Sequence, residues 1–154
     1  PNTPAMIQMG ATGLYATAGV SEAEQQLAQQ VMSAAGLVLW VDDEDLLHAV
    51  TAISGSAPAY FFYMLENMIA TGEKLGLTQT QATALAMQTA LGSAQMALTS
   101  HDTPAELRRK VTSPNGTTQA AIEVMDAKKM HQIIADAMLA CEQRSRELSQ
   151  AFGK

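Results

Sequence analysis

The chain has 154 residues, 47% hydrophobic and 16% charged, which supplies the core of one domain and excludes a disordered chain. Nine lysines and arginines against fifteen acids give a net charge of −6, which argues against nonspecific nucleic-acid or anionic-membrane binding. A single cysteine, Cys141, allows no internal disulfide and no cysteine metal cage, so a cytoplasmic setting is expected. No apolar segment behind a basic start opens the sequence, so no export signal is expected either.

In chain order, Pro1-Asn2-Thr3-Pro4 favours extended backbone, because two prolines and the restriction on their predecessors oppose a helix start. Met6 to Thr17, with Gly10 and Gly13, reads as one or two short strands. Ser21 and Glu24 have capping-box spacing and open a helix that stops at Gly36. The apolar run Leu37 to Val41 reads as a strand. These first forty residues look like the edge of an α/β layer whose remainder lies outside the sequence.

After Trp40 the character is all helical. Asp42 or Asp43 is expected to cap a helix carrying Leu46, Leu47, Val50 and Ile53 on one face. Ser54 to Pro58 breaks it, with Pro58 in the first turn of a helix through Tyr60, Phe61, Met64, Leu65, Met68 and Ile69 to a stop at Gly76. Thr78 and Gln81 open the next helix, to about Thr99. Thr103-Pro104-Ala105-Glu106 repeats the start signal. Val111 to Thr118 is a tight turn feeding a helix through Ala121, Ile122 and Met125. A last helix, about Met130 to Ala151, is expected to turn Ile133, Ile134, Ala137, Met138 and Cys141 inward.

Leu75 to Ser100 carries no charged side chain, long enough to span a bilayer were it apolar. Gln79, Gln81, Gln88 and Gln95 with four threonines and serines interrupt it, and unpartnered amides are costly in hydrocarbon. The better reading is a helix covered by protein on most sides. A chain this short has little mass to spare for that, which favours an oligomer core over a central helix of a monomeric bundle.

Familiar catalytic constellations are missing. His48, His101 and His131 lie far apart without metal-ligand spacing, and no metal is expected. His48 and Cys141 read as structural residues, the acids at 42–45 as a helix start favoured by its dipole, and Arg108-Arg109-Lys110 as a solvated face. Ser113-Pro114-Asn115-Gly116-Thr117-Thr118 is more informative. A glycine-containing turn that launches a helix leaves backbone N–H groups unpaired at the positive end of the helix dipole, a cradle for a carboxylate or phosphate. An ordinary capped turn would look much the same in sequence. Ser54 to Pro58 reads as a second helix-launching turn of this kind, and two such turns point towards a shared cleft.

Pro1-Asn2-Thr3-Pro4, Ala52 to Tyr60, Pro104 to Leu107, Lys110 to Thr118 and the ending Arg144 to Leu148 together resemble pyrroline-5-carboxylate reductase over essentially the whole chain. The family usually has glycine where this sequence has Ala57 and Asn115. Alanine adopts a helical φ readily and asparagine tolerates the left-handed region, so both turns should survive.

The resemblance implies a mainly α fold: residues 42–154 as a helical substrate-binding and dimerisation domain of the 6-phosphogluconate dehydrogenase carboxy-terminal type. Residues 1–41 would be the edge of a dinucleotide-binding domain. It implies hydride transfer from NADPH or NADH to the imine carbon of pyrroline-5-carboxylate, giving L-proline, in a cytoplasmic, interlocked homodimer with no nucleic-acid or membrane partner. Site residues carried over are Ser113, Asn115, Gly116, Thr117 and Thr118 for the substrate carboxylate, with the Thr118 hydroxyl on the ring nitrogen as the catalytic contact. Asn2, Thr3, Ser54, Gly55, Ser56 and Pro58 would line the nicotinamide side. The chain alone is expected to dimerise without turning over. The alternatives are a noncatalytic helical assembly domain, or the helical domain of a related imine or hydroxyacid reductase with Lys74 or Lys110 as base.

Overall fold

The structure, a computed structural model, describes residues 1–153 and divides by packing into two units, Pro1–Phe61 with Ile134–Lys154, and Phe62–Ile133. The first unit is built on two parallel strands, β1 (Gly10–Leu14) and β2 (Gly36–Trp40), joined by helix α1 (Glu22–Ser33). Gly10 pairs with Gly36 and Leu14 with Trp40. A side chain on Gly36, whose φ is +142°, would fall 2.1 Å from the Gly10 carbonyl oxygen, so this close strand start requires glycine. The capping box at α1 is present: Glu24 accepts the Ser21 N–H at 2.8 Å while the Ser21 hydroxyl faces the Glu24 N–H.

The opening residues depart from the extended reading. Asn2 is extended, but Thr3–Ile7 forms a 3₁₀ turn with Pro4 in its first turn, where a missing N–H costs nothing. The helix expected from Asp42 or Asp43 starts later, as α2 (Leu46–Val50). The Asp43 carboxylate instead accepts the Asp45 N–H at 2.9 Å in the turn before it. Val50 packs into the space left by Gly13, where a Cβ would lie 2.7 Å from it.

Ser54 to Pro58 does not break the chain into a fresh helix start. Residues Thr51–Gly55 form a π-helix, closed by the Ser56 N–H on the Thr51 carbonyl at 2.9 Å. With Ser56 still right-handed helical, they run on into α3 (Ala57–Lys74). The last helix, α7 (Met130–Phe152), contributes the rest of this unit. His48 Nδ1 lies 2.8 Å from Ser145 Oγ, and Arg146 reaches both Asp45 carboxylate oxygens at 2.7 and 2.6 Å while also engaging Glu142. These ties group α2 and most of α7 with the strands. That packing division does not fall at 41/42, the boundary expected between an α/β part and a helical part.

The second unit holds the rest of α3, then α4 (Gln79–Thr99), α5 (Pro104–Lys110) and α6 (Thr117–Ala127). Gly76, with φ +100°, ends α3. Complete capping boxes start α4 (Thr78 with Gln81) and α5 (Thr103 with Glu106). Helices α3 and α4 come close at Gly72 and Ala82, where a Cβ on the glycine would lie 3.0 Å from the alanine methyl. No helix among the described residues is long and apolar enough to cross a membrane.

The buried apolar residues are all alanines: Ala52 and Ala57 in the first unit, Ala82 and Ala86 in the second. The large side chains are outside. Phe62, Leu85 and Leu98 are 63%, 59% and 77% exposed, and Ile133 and Ile134, expected inward, are 61% and 49% exposed. The accessible surface is 11,601 Å², where a compact monomer of 16.3 kDa exposes about 7,500 Å². The apolar faces that the periodicity marks are thus largely exposed among the described residues. Charge is also unevenly placed: the first unit carries the whole net charge of −6, while in the second Lys and Arg equal Asp and Glu in number.

Candidate functional site

Helix α6 begins differently from α1, α4 and α5. Its cap residue is Gly116, extended at φ −88° and ψ 171°, which offers no side chain to the helix N–H groups. The turn before it is tight. Asn115 takes the left-handed conformation at φ 57°, and the Gly116 N–H donates to the Ser113 carbonyl at 3.0 Å. The first helical bond is the Ala120 N–H to the Gly116 carbonyl at 3.2 Å. The N–H groups of Thr117, Thr118 and Gln119 thus have no acceptor among the described residues, and they stand at the positive end of an eleven-residue helix.

Two details differ from the expected cradle. Gly116 spends its own N–H on closing the turn, so the free donors are one residue further along. Gln119 also belongs to this turn, outside the residues expected from the motif. It sits three after the cap, where a capping-box glutamine belongs, but with glycine at the cap its side chain turns back to accept the Asn115 N–H at 2.8 Å. That spacing was the available signal. Ser113, Thr117 and Thr118 are exposed, and the Thr118 hydroxyl is not spent on any described hydrogen bond. The two departures from the family's usual glycines are accommodated: Asn115 holds the left-handed position, and Ala57 is the buried first residue of α3.

Asn2, Thr3, Ser54, Gly55, Ser56 and Pro58 lie in the first unit, the Ser113–Thr118 turn in the second. Asn2 and Ser54 are brought together, with Asn2 Nδ2 donating to the Ser54 carbonyl at 3.0 Å. Thr3 is exposed in the 3₁₀ turn, and Pro58 is half-buried in the first turn of α3. The Ser54–Pro58 segment lacks the free helix start of the α6 turn, because π-helical backbone leads into it. Beside it, the Cys141 thiol donates to Ser56 Oγ at 3.2 Å, and the Tyr60 hydroxyl is buried without a hydrogen-bond partner among the described residues. The neighbouring Cys141 side chain, and then burial, push the Tyr60 phenol above its usual pKa. Of the two lysines considered as bases, Lys110 is held by Asp102 at 2.5 Å, and the ammonium keeps that carboxyl below its usual range.

Residues 44–148 match the family model for pyrroline-5-carboxylate reductase dimerisation. The chain belongs to the pyrroline-5-carboxylate reductase family. The matched span of this reductase family takes in the Ser54–Pro58 segment and the open start of α6. A pyrroline-5-carboxylate reductase from Pseudomonas aeruginosa is 54% identical over 154 residues, covering 100% of this chain and 56% of that protein. The structure of one from Coxiella burnetii superposes with a TM-score of 0.92 at 42% identity, over 96% of this chain and 55% of the other. A Plasmodium falciparum pyrroline carboxylate reductase, crystallised with NADP bound, superposes at 0.90 and 25% identity, over 96% and 60%. The chain therefore spans little more than half the length of the relatives it matches.

Proposed function

We propose that these residues form the substrate-binding and self-associating part of an NAD(P)H-dependent reductase that converts 1-pyrroline-5-carboxylate to L-proline, closing proline biosynthesis. On this reading residues 1–41 are the edge of the dinucleotide-binding domain and 42–154 the helical domain. The observation that carries the reading is the uncapped start of α6 at Gly116, where α1, α4 and α5, with Ser or Thr caps, are closed by complete capping boxes. Three free N–H groups behind Gly116 suit a carboxylate, and the helix dipole adds to the attraction. Ser113 and Asn115 shape the turn, and Gln119 locks it.

The reaction asks for a hydride on the imine carbon and a proton on the ring nitrogen. NADPH or NADH supplies the hydride when bound. The chain's own work is to fix the ring by its carboxylate and to present the nitrogen to the Thr118 hydroxyl, which holds the proton in place; this is orientation rather than acid–base chemistry. The Ser54–Pro58 segment leaves room for the flat end of a dinucleotide at Gly55, which is exposed and where an added Cβ would meet only Thr51 side-chain carbons, at 3.7 and 3.9 Å. The glycine-rich turn that grips a pyrophosphate is not in this sequence, so the 154 residues alone are expected to bind but not to turn over.

The homodimer reading rests on the uncovered faces of α3 and α4. An open groove of about 450 Å³ runs between them, lined by Phe62, Leu65, Ile69 and Met87. The chain's excess surface of about 4,000 Å² exceeds the roughly 1,000–2,500 Å² that each partner contributes to an obligate homodimer interface of 2,000–5,000 Å² in total, so there is area enough for one. The single unpaired cysteine fits a cytoplasmic enzyme.

Titrating proline into the protein is expected to shift the amide resonances of Thr117, Thr118 and Gln119 at millimolar ligand. Unmoved resonances would remove the cradle from the proposal. In the complete reductase, Thr118→Ala is expected to lower kcat/KM by about 5- to 150-fold, the worth of one hydrogen bond to a charged group at 1–3 kcal/mol.

A further inference from the structure

Asn2 lies 52 residues from Ser54, yet its side chain bridges two backbones. Its Nδ2 donates to the Ser54 carbonyl at 3.0 Å, and its Oδ1 accepts the Ala11 N–H at 2.9 Å. One end of the amide is thus tied to strand β1 and the other to the π-helix. The Ser54 carbonyl wants a donor from elsewhere for a reason written in the sequence. In a continuing α-helix it would accept from the residue four positions on, and that residue is Pro58, which has no N–H. The π-helical widening moves the pairing to five residues at Thr51, but the amide that would follow suit, Ala59, donates to the Ser56 carbonyl at 3.1 Å.

We infer that Asn2 is the donor that Pro58 withholds: its side-chain amide stands in for the missing helix bond and so sets the positions of Ser54, Gly55 and Ser56. Asn2 is then a positioning residue, acting on the proposed nicotinamide-facing segment through Ser54 instead of touching the ring. The bracket stands on geometry alone; only its effect on the cofactor rests on the function proposed above.

Asn2→Asp isolates the contact, because a carboxylate still accepts the Ala11 N–H but cannot donate to Ser54. In the intact protein this variant is expected to speed hydrogen exchange at the Ser56 and Ala57 amides about fivefold, the worth of one neutral hydrogen bond. The KM for NADPH is expected to rise by a similar factor, with kcat at saturation held within about twofold. The same substitution is then made in a Pro58→Ala background, where the restored backbone N–H can serve Ser54. There both effects are expected to shrink below about twofold, a coupling that a double-mutant cycle reads directly. Equal effects in the two backgrounds overturn the inference. Coupled exchange with an unmoved KM upholds the bracket and overturns the cofactor reading of the segment. If Asn2→Asp does not fold, the unmodified protein decides. A through-bond coupling from Asn2 Nδ2 to the Ser54 carbonyl carbon supports the inference, and side-chain amide protons exchanging as freely as solvent-exposed ones overturn it.

Discussion

The two units hold themselves together by different means. In the first, side-chain hydrogen bonds reach across the sequence: Asn2 to Ser54, Cys141 to Ser56, His48 to Ser145, Arg146 to Asp45, the last pair 101 residues apart. In the second, the longest side-chain bond described, Lys110 to Asp102, spans eight residues. Every other side-chain hydrogen bond described there spans four residues or fewer. The first unit fixes its own tertiary arrangement. The second forms good helices one at a time and leaves large apolar side chains exposed, which on the proposed self-association a second copy would cover.

The comparison breaks most sharply at Leu85, which is 59% exposed on α4. Leu85→Asp costs the single chain little, but in a self-associated state it buries an unpaired carboxylate at about 3 kcal/mol or more. Light scattering should show dimerisation weakened at least about 100-fold, with exchange protection of the β1 and β2 amides retained. Loss of protection in the strands as well would show that the first unit depends on association too.

A smaller effect is expected at the α6 turn. Gly116→Val places a Cβ 3.1 Å from the Ser113 carbonyl oxygen and crowds the turn that aims the free N–H groups. The strain is contact and not φ, since Gly116 at −88° is in a region open to every residue. The stability loss is expected to be about 1–2 kcal/mol in a denaturant melt. Asn115→Gly, at the position that is left-handed, should change stability by less than about 0.5 kcal/mol. A large loss at Asn115→Gly would mean that the asparagine side chain does more than tolerate the turn.

The smallest effect concerns pH and sharpens the contrast between caps. Hydrogen bonds from the Ser21 and Thr103 hydroxyls, then from the same residues' backbone amides, hold Glu24 and Glu106 below the usual carboxylate range. A carboxyl lowered in the folded state stabilises above its unfolded pKa and loses that contribution as pH falls through the folded value. The cap of α4 uses neutral Gln81 instead. Acidification towards the carboxylate range should therefore fray the first turns of α1 and α5 in amide exchange while α4 stays protected. Equal fraying of all three would show that the two carboxylates do not hold their caps.

Helix starts were legible in the sequence because they are local: Ser21 with Glu24, Thr78 with Gln81 and Thr103 with Glu106 each need only four residues to specify. The Ser113–Thr118 turn was legible for the same reason, although Gln119 was overlooked once Gly116 replaced a capping hydroxyl. The π-helix was not. Ser54 to Pro58 looks like a break in isolation, and what joins it to its neighbours is an asparagine 52 residues away. The inward face expected of α7 failed at Ile133 and Ile134 for a related reason. Periodicity tells which side of a helix avoids water, but not whether the same chain provides the cover.

Helix α4, twenty-one residues without an ionisable side chain, has a thermodynamic consequence. The part of a meeting surface that α4 supplies has no ion pairs to screen, so added salt at ordinary ionic strength should leave that part of the affinity nearly unchanged. Its driving force is the release of water from leucine and methionine, which weakens on cooling. An assembly of this kind is tightest warm and loosens towards the freezing point, as subunits joined by charge would not.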